Sequence, residues 1–182
     1  MIKTPKSAYS IIEDDNSEQR HTFAVIVDNR PGILARVVGM FSARGYNIES
    51  LTVSSIDKDK KRSRISIVTT GTKKTIQQIE AQLRRIVAVN SAHNVTESNH
   101  VEKEVVLIKA KLEKSNREEI LRTAELFKAQ VVDATDETML FMVVDSNNNV
   151  KEFMKIMLDI CECEVARSGV VAMSCDKEIL DV

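Results

Sequence analysis

The sequence predicts an α+β protein in which one β-α-β-β-α-β unit is followed by a second. Short apolar runs alternate with a period of two, helical stripes with a period near 3.6 lie between them, and the order recurs after roughly 75 residues. A unit of this order folds as an antiparallel sheet with two helices on one face, the ferredoxin-like sandwich. At 182 residues and 43% hydrophobic content, the chain is long enough for two such cores.

The first unit begins with a strand and a helix. Residues 23–27 are apolar on both alternating faces, which is typical of a central strand, and the run ends at Asp28. Pro31 stands where a first helical residue is expected, and Gly45 supplies a C-terminal stop. The helical stripe between them consists of Leu34, Val37, Val38 and Phe41.

Two further strands, a helix and a closing strand complete this unit. Residues 47–55 and 64–70 have the alternation of strands, and the charged stretch 57–62 is expected to form a solvated turn between them. Gly71 ends the second run, and residues 88–96 are expected to close the sheet. The helical stripe before that closing strand consists of Ile76, Ile79, Leu83 and Ile86.

The same order recurs after a boundary near residues 98–101. Residues 104–112 predict a strand, residues 131–135 and 139–144 a strand pair, and residues 165–173 a last strand. The first helix of this unit carries the stripe Ile120, Ala124 and Phe127. The second helix carries the stripe Val150, Phe153, Met154, Met157, Leu158 and Cys161.

These patterns divide the chain into three parts. Residues 1–20 are expected to be a disordered tail, because they have no apolar run and are acidic. Residues 21–97 form the first predicted domain and residues 101–176 the second.

Composition limits where the protein acts and what it binds. Three cysteines near the C-terminus, with no signal peptide, predict reduced thiols and a cytoplasmic protein. Nowhere do about 18 consecutive apolar residues occur, so no membrane span is expected. Because the 26 basic and 27 acidic residues nearly balance, the net charge provides no overall electrostatic attraction to nucleic acid. RNA binding on a ferredoxin-like sheet needs aromatic residues for base stacking, and strand residues 64–68 contain none.

The sequence contains no arrangement that predicts catalysis. Glycine-rich phosphate loops and G-x-S-x-G are absent, and His21, His93 and His100 are far apart in the chain. The pair Cys161 and Cys163 lacks the two-residue spacer of redox motifs, and the first thiol continues a helical core stripe. We therefore expect a non-catalytic protein that binds no metal or cofactor of its own.

Residues 28–34 join the first strand to the first helix and have the chemistry of a small-ligand site. Backbone N–H groups at a helix N-terminus lack internal acceptors and attract a carboxylate, and Gly32 has no Cβ to obstruct it. Asn29 offers a carbonyl and an amide, so an amino-acid zwitterion would suit the turn. The alternative is structural: Asn29 or Asp28 caps the helix and Pro31 starts it.

The same residues carry a resemblance to a known family. Residues 28–34 resemble the D-x-x-P-G-x-L turn of ACT domains, which belongs to an amino-acid effector site. Residues 34–41, 44–53 and 164–171 resemble the small, regulatory subunits of acetohydroxyacid (acetolactate) synthase, and the similarity spans residues 21–175. Residues 166–170 belong to this resemblance but have no chemical role that their residue types indicate.

The resemblance implies a regulatory function in the biosynthesis of valine, leucine and isoleucine. Such a subunit binds a branched-chain amino acid, typically valine, activates a large catalytic subunit and confers feedback inhibition. Thiamine diphosphate and Mg, with FAD as an additional candidate, are the cofactors expected in that large subunit. A free-standing ACT-type regulator of transcription or of another metabolic enzyme remains the alternative.

The resemblance also implies a homodimer formed through the ACT domains, with the effector held between two chains. Asn47 and Ile48 would approach from the partner chain, although Asn47 also fits a turn after Gly45. The effector-binding residues carried over by position are Asn29, Pro31, Gly32, Ile33, Leu34, Asn47 and Ile48.

Overall fold

The structure is a computed structural model that describes residues 17–175, 177 and 179 of the chain. Those residues form nine β-strands and four α-helices, with one short 3-10 helix at Val95–Glu97. No helix among them is long and apolar enough to cross a membrane. Most of the predicted disordered tail, residues 1–16, lies outside the described residues.

Strand β1 (Gln19–Asp28) begins earlier than the sequence predicts. Gln19 and Arg20 were assigned to the tail, but they pair with Gly71 and Thr70 of the neighbouring strand. The apolar alternation begins only at residue 23, so these polar residues gave no sign that the ladder continues through them.

The first domain confirms the predicted β-α-β-β-α-β order. After β1 come α1 (Ile33–Ser42), β2 (Ser50–Ser55), β3 (Arg62–Gly71), α2 (Lys73–Leu83) and β4 (Val89–Asn94). The antiparallel sheet has the order β2-β3-β1-β4, which leaves β2 and β4 at its edges. Both helices pack on one face, where their buried stripes form the core with Phe23, Val25, Val27, Ile65 and Ile67.

The second domain has the same architecture. Its elements are β5 (His100–Lys111), α3 (Arg117–Leu126), β6 (Gln130–Ala134), β7 (Thr138–Asp145), α4 (Asn147–Ile160), β8 (Cys163–Arg167) and β9 (Val171–Ser174). The sheet order is β6-β7-β5-β8, with β9 pairing separately with β5. The two helices bury Ile120, Val150, Phe153 and Met157 against the sheet. Two tandem ferredoxin-like units are therefore confirmed.

The predicted single last strand over residues 165–173 is wrong, because a turn divides it into β8 and β9. Gly169, with φ +80°, lies in that turn. Strand β8 pairs with the second half of β5. Strand β9 pairs instead with residues 100–103 of β5. A pattern of alternating residues cannot distinguish one strand from two collinear strands with different partners.

The ribbon formed by β9 and the start of β5 lies over the open face of the first sheet. Ala172 packs with Ala24 and Val95 in a small apolar cluster. The carboxylate of Glu102 accepts hydrogen bonds from Arg20 and Thr22 of β1. The two domains are therefore packed against each other through β9 and the start of β5.

Candidate functional site

The turn between β1 and α1 is shaped by its own backbone. The N–H of Arg30 donates to the Asp28 carbonyl at 2.9 Å, and the N–H of Ile33 donates to the Arg30 carbonyl at 3.2 Å. Gly32 has φ +82°, in the left-handed region that favours glycine. Helix α1 begins at Ile33, two residues later than the predicted start at Pro31, because the left-handed Gly32 separates the proline from the helix.

The N-terminus of α1 is open to a ligand. No side chain caps it, so the alternative in which Asn29 or Asp28 is the cap does not apply. Among the residues that the structure describes, the amides of Gly32, Leu34 and Ala35 have no acceptor. Nothing lies within 4 Å of the position that a Cβ on Gly32 would take. Free amides and the positive end of the helix dipole together form a cradle for an anion.

Asn29 is held beside this turn by the β2–β3 connection. Its backbone N–H donates to the Lys61 carbonyl at 2.7 Å. Its side-chain Nδ2 donates to the Lys60 carbonyl at 2.8 Å. The sequence left both groups of the Asn29 side chain, the carbonyl and the amide, as contacts for a ligand. Since Nδ2 already donates to Lys60, Oδ1 is the group that remains to accept a hydrogen bond from a cationic ligand group.

The hydrophobic residues of the turn differ in exposure. Leu34 is 37% exposed, whereas Ile33 is 8% exposed and its side chain belongs to the core. Pro31 is exposed beside them. Leu34 and Pro31 are thus the apolar side chains of this segment that a ligand can reach.

Asn47 and Ile48 lie in the connection between α1 and β2 rather than inside the predicted strand at residues 47–55. The Asn47 carbonyl accepts a hydrogen bond from Thr69 Oγ1 at 2.6 Å, and the Ile48 side chain packs against the core. The side chain of Asn47 is exposed.

One chain does not bring the two groups of predicted residues together. Asp28 pairs with Arg62 at one end of β3, whereas Asn47 bonds Thr69 near the other end. The seven residue-to-residue steps from Arg62 to Thr69 span about 23 Å at about 3.3 Å per step. The cavity at the turn, lined by residues such as Arg30 and Val87, has a volume of only ≈ 90 Å³.

The two edges of the first sheet differ in how they are covered. Arg84 of the segment after α2 donates through Nε to the Ala92 carbonyl of β4 at 3.1 Å. Within the described residues, no strand pairs with the outer side of β2, where Val53 is 43% exposed. An uncovered edge of this kind can pair with another chain.

Cys161 and Cys163 lie side by side where α4 ends and β8 begins. The Sγ atoms of Cys161 and Cys163 lie 3.4 Å apart, and both residues are half-buried. Burial, together with the neighbouring thiol, raises the pKa of Cys163 to about 12. The protonated thiol is a weak nucleophile at neutral pH. In the described part of the chain, no three His, Cys, Asp or Glu side chains are grouped as metal ligands.

Sequence reasoning missed a buried ion pair at the domain interface. Glu104 is 2% exposed, and Arg167 donates to both of its oxygens, from Nε at 2.9 Å and from Nη2 at 2.7 Å. Asn147 Nδ2 donates to the same carboxylate at 3.0 Å. These residues line a cleft of ≈ 330 Å³ between the domains. The sequence pointed to this region only through residues 166–170, which belong to the family resemblance and include Arg167 but had no role assigned from their residue types.

Two family models match the chain. The ACT domain of acetohydroxyacid synthase small subunits matches residues 23–91, and the small subunit of acetolactate synthase matches residues 103–176. The acetolactate synthase isozyme 3 small subunits of Salmonella typhimurium and Escherichia coli are 38% identical to this chain over 162 residues. Each alignment covers 88% of this chain and 99% of the relative.

A solved structure agrees with these matches. The acetolactate synthase small subunit from Thermotoga maritima is 32% identical, with a TM-score of 0.76, and the match covers 85% of this chain and 96% of that one. The family predicted from the sequence resemblance is therefore confirmed, and the first domain is an ACT domain. The chain belongs to the family of acetolactate synthase small subunits, which are regulatory subunits.

Proposed function

We propose that this chain has no catalytic activity and binds a branched-chain amino acid, with valine as the first candidate, between the ACT domains of a homodimer. The bound effector lowers the activity of a large catalytic subunit that the chain otherwise activates. The observation that carries the proposal is the uncapped N-terminus of α1, where three amides lack acceptors. The segment that resembles an ACT effector turn thus has the chemistry such a site requires.

The turn suits both charged groups of a free amino acid. The α-carboxylate accepts hydrogen bonds from the amides of Gly32, Leu34 and Ala35, and the helix dipole adds to this attraction. The ammonium group donates to the free Oδ1 of Asn29, whose side chain is oriented by the bond to Lys60. The exposed Leu34 then faces the aliphatic side chain of the effector.

A second copy of the chain is needed to complete the site. A cavity of ≈ 90 Å³ is well below the ~300 Å³ typical of ligand pockets. If two β2 strands pair antiparallel across a two-fold axis, the Ser50 end of one strand lies beside the Ser55 end of the other. Ser55 pairs with Ser63, at the end of the sheet that carries Asn29. This arrangement brings the partner's Asn47 and Ile48 toward the turn.

The large subunit supplies the chemistry. It holds thiamine diphosphate and Mg, with FAD as an additional candidate, and this chain contributes only regulation. Effector binding and binding of the large subunit are linked reciprocally, so each changes the affinity of the other by the same factor.

We place the complex in the cytoplasm, in keeping with three free cysteines.

Calorimetry on the isolated chain tests the proposal, with valine, leucine, isoleucine and glycine as ligands. We expect saturable binding of at least one branched-chain amino acid and much weaker binding of glycine, because each methylene contributes about 1–3 kcal/mol in an apolar pocket. The same amino acid should inhibit acetolactate formation by the reconstituted enzyme. Absence of binding by all three branched-chain amino acids, or inhibition independent of this chain, would contradict the proposal.

The substitution Val53→Asp tests the dimer. Val53 lies near the middle of the free edge strand, so two aspartates would come close to each other at the axis. We expect the dimer to weaken by at least about tenfold, because like charges on adjacent strands are destabilising, with valine binding lost in parallel. Analytical ultracentrifugation and calorimetry measure the two effects.

The matched control is Asn90→Asp, which adds the same charge to an exposed residue of β4, the opposite edge of the sheet. We expect it to leave association and valine binding unchanged. A Val53→Asp protein that remains dimeric, or dissociation caused equally by both variants, would place the dimer interface elsewhere.

A further inference from the structure

A short loop of the second domain reaches the edge strand of the ACT domain. We call residues 168–170, between β8 and β9, the interdomain loop. The N–H of Val170 donates to Ser50 Oγ at 3.0 Å. Thr52 Oγ1 donates to the Ser168 carbonyl at 3.3 Å. Both hydroxyl groups belong to β2, so the loop bonds side chains on one face of that strand.

Gly169 allows this close approach. A Cβ at this position would lie 2.7 Å from Thr52 Oγ1 and 2.8 Å from Ser50 Oγ, closer than such atoms come in proteins. Its φ of +80° also disfavours any other residue. The contact between the loop and β2 therefore has little room for a side chain.

The interdomain loop is firmly attached to the second domain. The N–H of Ser168 donates to the Val105 carbonyl at 3.0 Å, and the N–H of Val105 donates to Ser168 Oγ at 3.0 Å. The preceding residue, Arg167, is held by the buried Glu104 carboxylate. A displacement of β2 would therefore act on the second domain rather than on a free loop.

The other hydrogen bonds between the domains involve different strands. Glu102 accepts from Arg20 and Thr22 of β1. Arg64 of β3 donates to the Ala172 carbonyl at 2.6 Å. Among the hydrogen bonds of the described residues, those of the interdomain loop alone connect β2 to the second domain.

Strand β2 is also the element that follows the proposed effector contacts Asn47 and Ile48. Glu49 and Ser50, at the start of this strand, line the interdomain cleft of ≈ 330 Å³ together with Lys151. A displacement at Asn47 would therefore act directly on β2, and the two hydroxyl bonds would pass it to the loop.

We propose that the interdomain loop couples the effector site to the second domain, with Ser50, Thr52 and Gly169 as positioning residues. This inference rests on the proposed function. Effector held by Asn47 and Ile48 changes the position of β2, the loop follows β2, and the second domain changes its orientation relative to the ACT domain. A large subunit that contacts the second domain then responds to the effector.

The double substitution Ser50→Ala and Thr52→Val tests the coupling in the reconstituted holoenzyme. It removes both hydroxyl groups while keeping a β-branched side chain of similar size at position 52. We expect valine binding to the isolated variant and activation of the large subunit to be retained. At saturating valine, the variant holoenzyme should keep at least about five times more activity than the native one, the lower end of typical allosteric couplings.

The matched control is Ser54→Ala, which removes an exposed hydroxyl from the same face of β2 without a bond to the loop. We expect it to be inhibited like the native protein. Gly169→Ala, which disturbs the contact from the loop side, should reproduce the effect of the double variant, and thermal unfolding of each chain verifies that it is folded.

The outcomes separate the two proposals. If no branched-chain amino acid inhibits the native holoenzyme, the proposed function is wrong and this inference is wrong with it. If valine inhibits the native holoenzyme and equally the folded double variant and Gly169→Ala, the coupling does not pass through the loop. Loss of valine binding in the isolated variants would also overturn the inference, because the hydroxyls would then act on the site itself.

Discussion

Replacing Gly32 with aspartate is expected to weaken inhibition by valine strongly while leaving activation of the large subunit intact. The new carboxylate would occupy the open space above Gly32 and accept the hydrogen bonds of the free amides. It would also repel the carboxylate of the effector. Since hydrogen bonds to charged groups contribute about 1.5–3 kcal/mol, we expect valine affinity measured by calorimetry to fall by about 10- to 150-fold.

The control for this variant is Gly39→Asp, in the exposed middle of the same helix. A Cβ at Gly39 meets nothing within 4 Å, so the substitution adds the same charge without reaching the N-terminus. We expect nearly native valine affinity and inhibition. Equal valine affinity in the Gly32→Asp and native proteins would show that the effector lies elsewhere.

Replacing Arg167 with alanine is expected to destabilise the second domain strongly. The Glu104 carboxylate, whose side chain is 1% exposed, would lose both hydrogen bonds from the guanidinium and keep only the one from Asn147. Removing one partner of a buried ion pair leaves an uncompensated charge, which typically costs about 3–5 kcal/mol. Because Arg167 itself is partly exposed, we expect a loss near the lower end, about 3 kcal/mol.

Hydrogen exchange combined with urea unfolding measures this loss in the second domain. The matched control is Lys111→Ala. Lys111 belongs to β5, as Glu104 does, and its substitution breaks an ion pair with Glu162, the residue before β8. Both side chains of that pair are more than half exposed, at 58% and 79%, so the free energy of unfolding is expected to change far less than in Arg167→Ala. Equal unfolding free energies for the two variants would mean that the buried pair does not stabilise the domain.

The sequence predicted the elements of the core with few errors because the apolar residues follow simple periods. The alternation at residues 23–27 and the helical stripe ending at Phe41 mark surfaces that are buried in the structure. Errors arose where polar residues continue an element, as at Gln19, or where one alternating run has two partners, as around Gly169. Hydrogen-bonded partners far along the chain decide these cases.

The turn at residues 28–34 could be predicted as a candidate site because the chemistry on which that prediction rests is local. A helix start, a glycine at a left-handed φ and a neighbouring amide side chain all lie within a few residues. The engagement of Asn29 Nδ2 by Lys60 was not predictable, since the two residues meet only when β2 and β3 form their turn. Nor could the sequence show that Asn47 lies at the opposite end of the sheet.

By itself, the sequence determined the two α+β domains and the family resemblance and drew attention to the turn at residues 28–34, because periodicity and local backbone chemistry depend on near neighbours. Only the tertiary structure decided that Glu104 is buried against Arg167 and that Gly169 lies against β2. Both contacts join residues more than sixty positions apart in the chain. The first contact joins two neighbouring strands of the second domain, and the second contact joins the two domains. Neither is encoded by a local pattern, because the partners come together only when the sheet and the domains assemble.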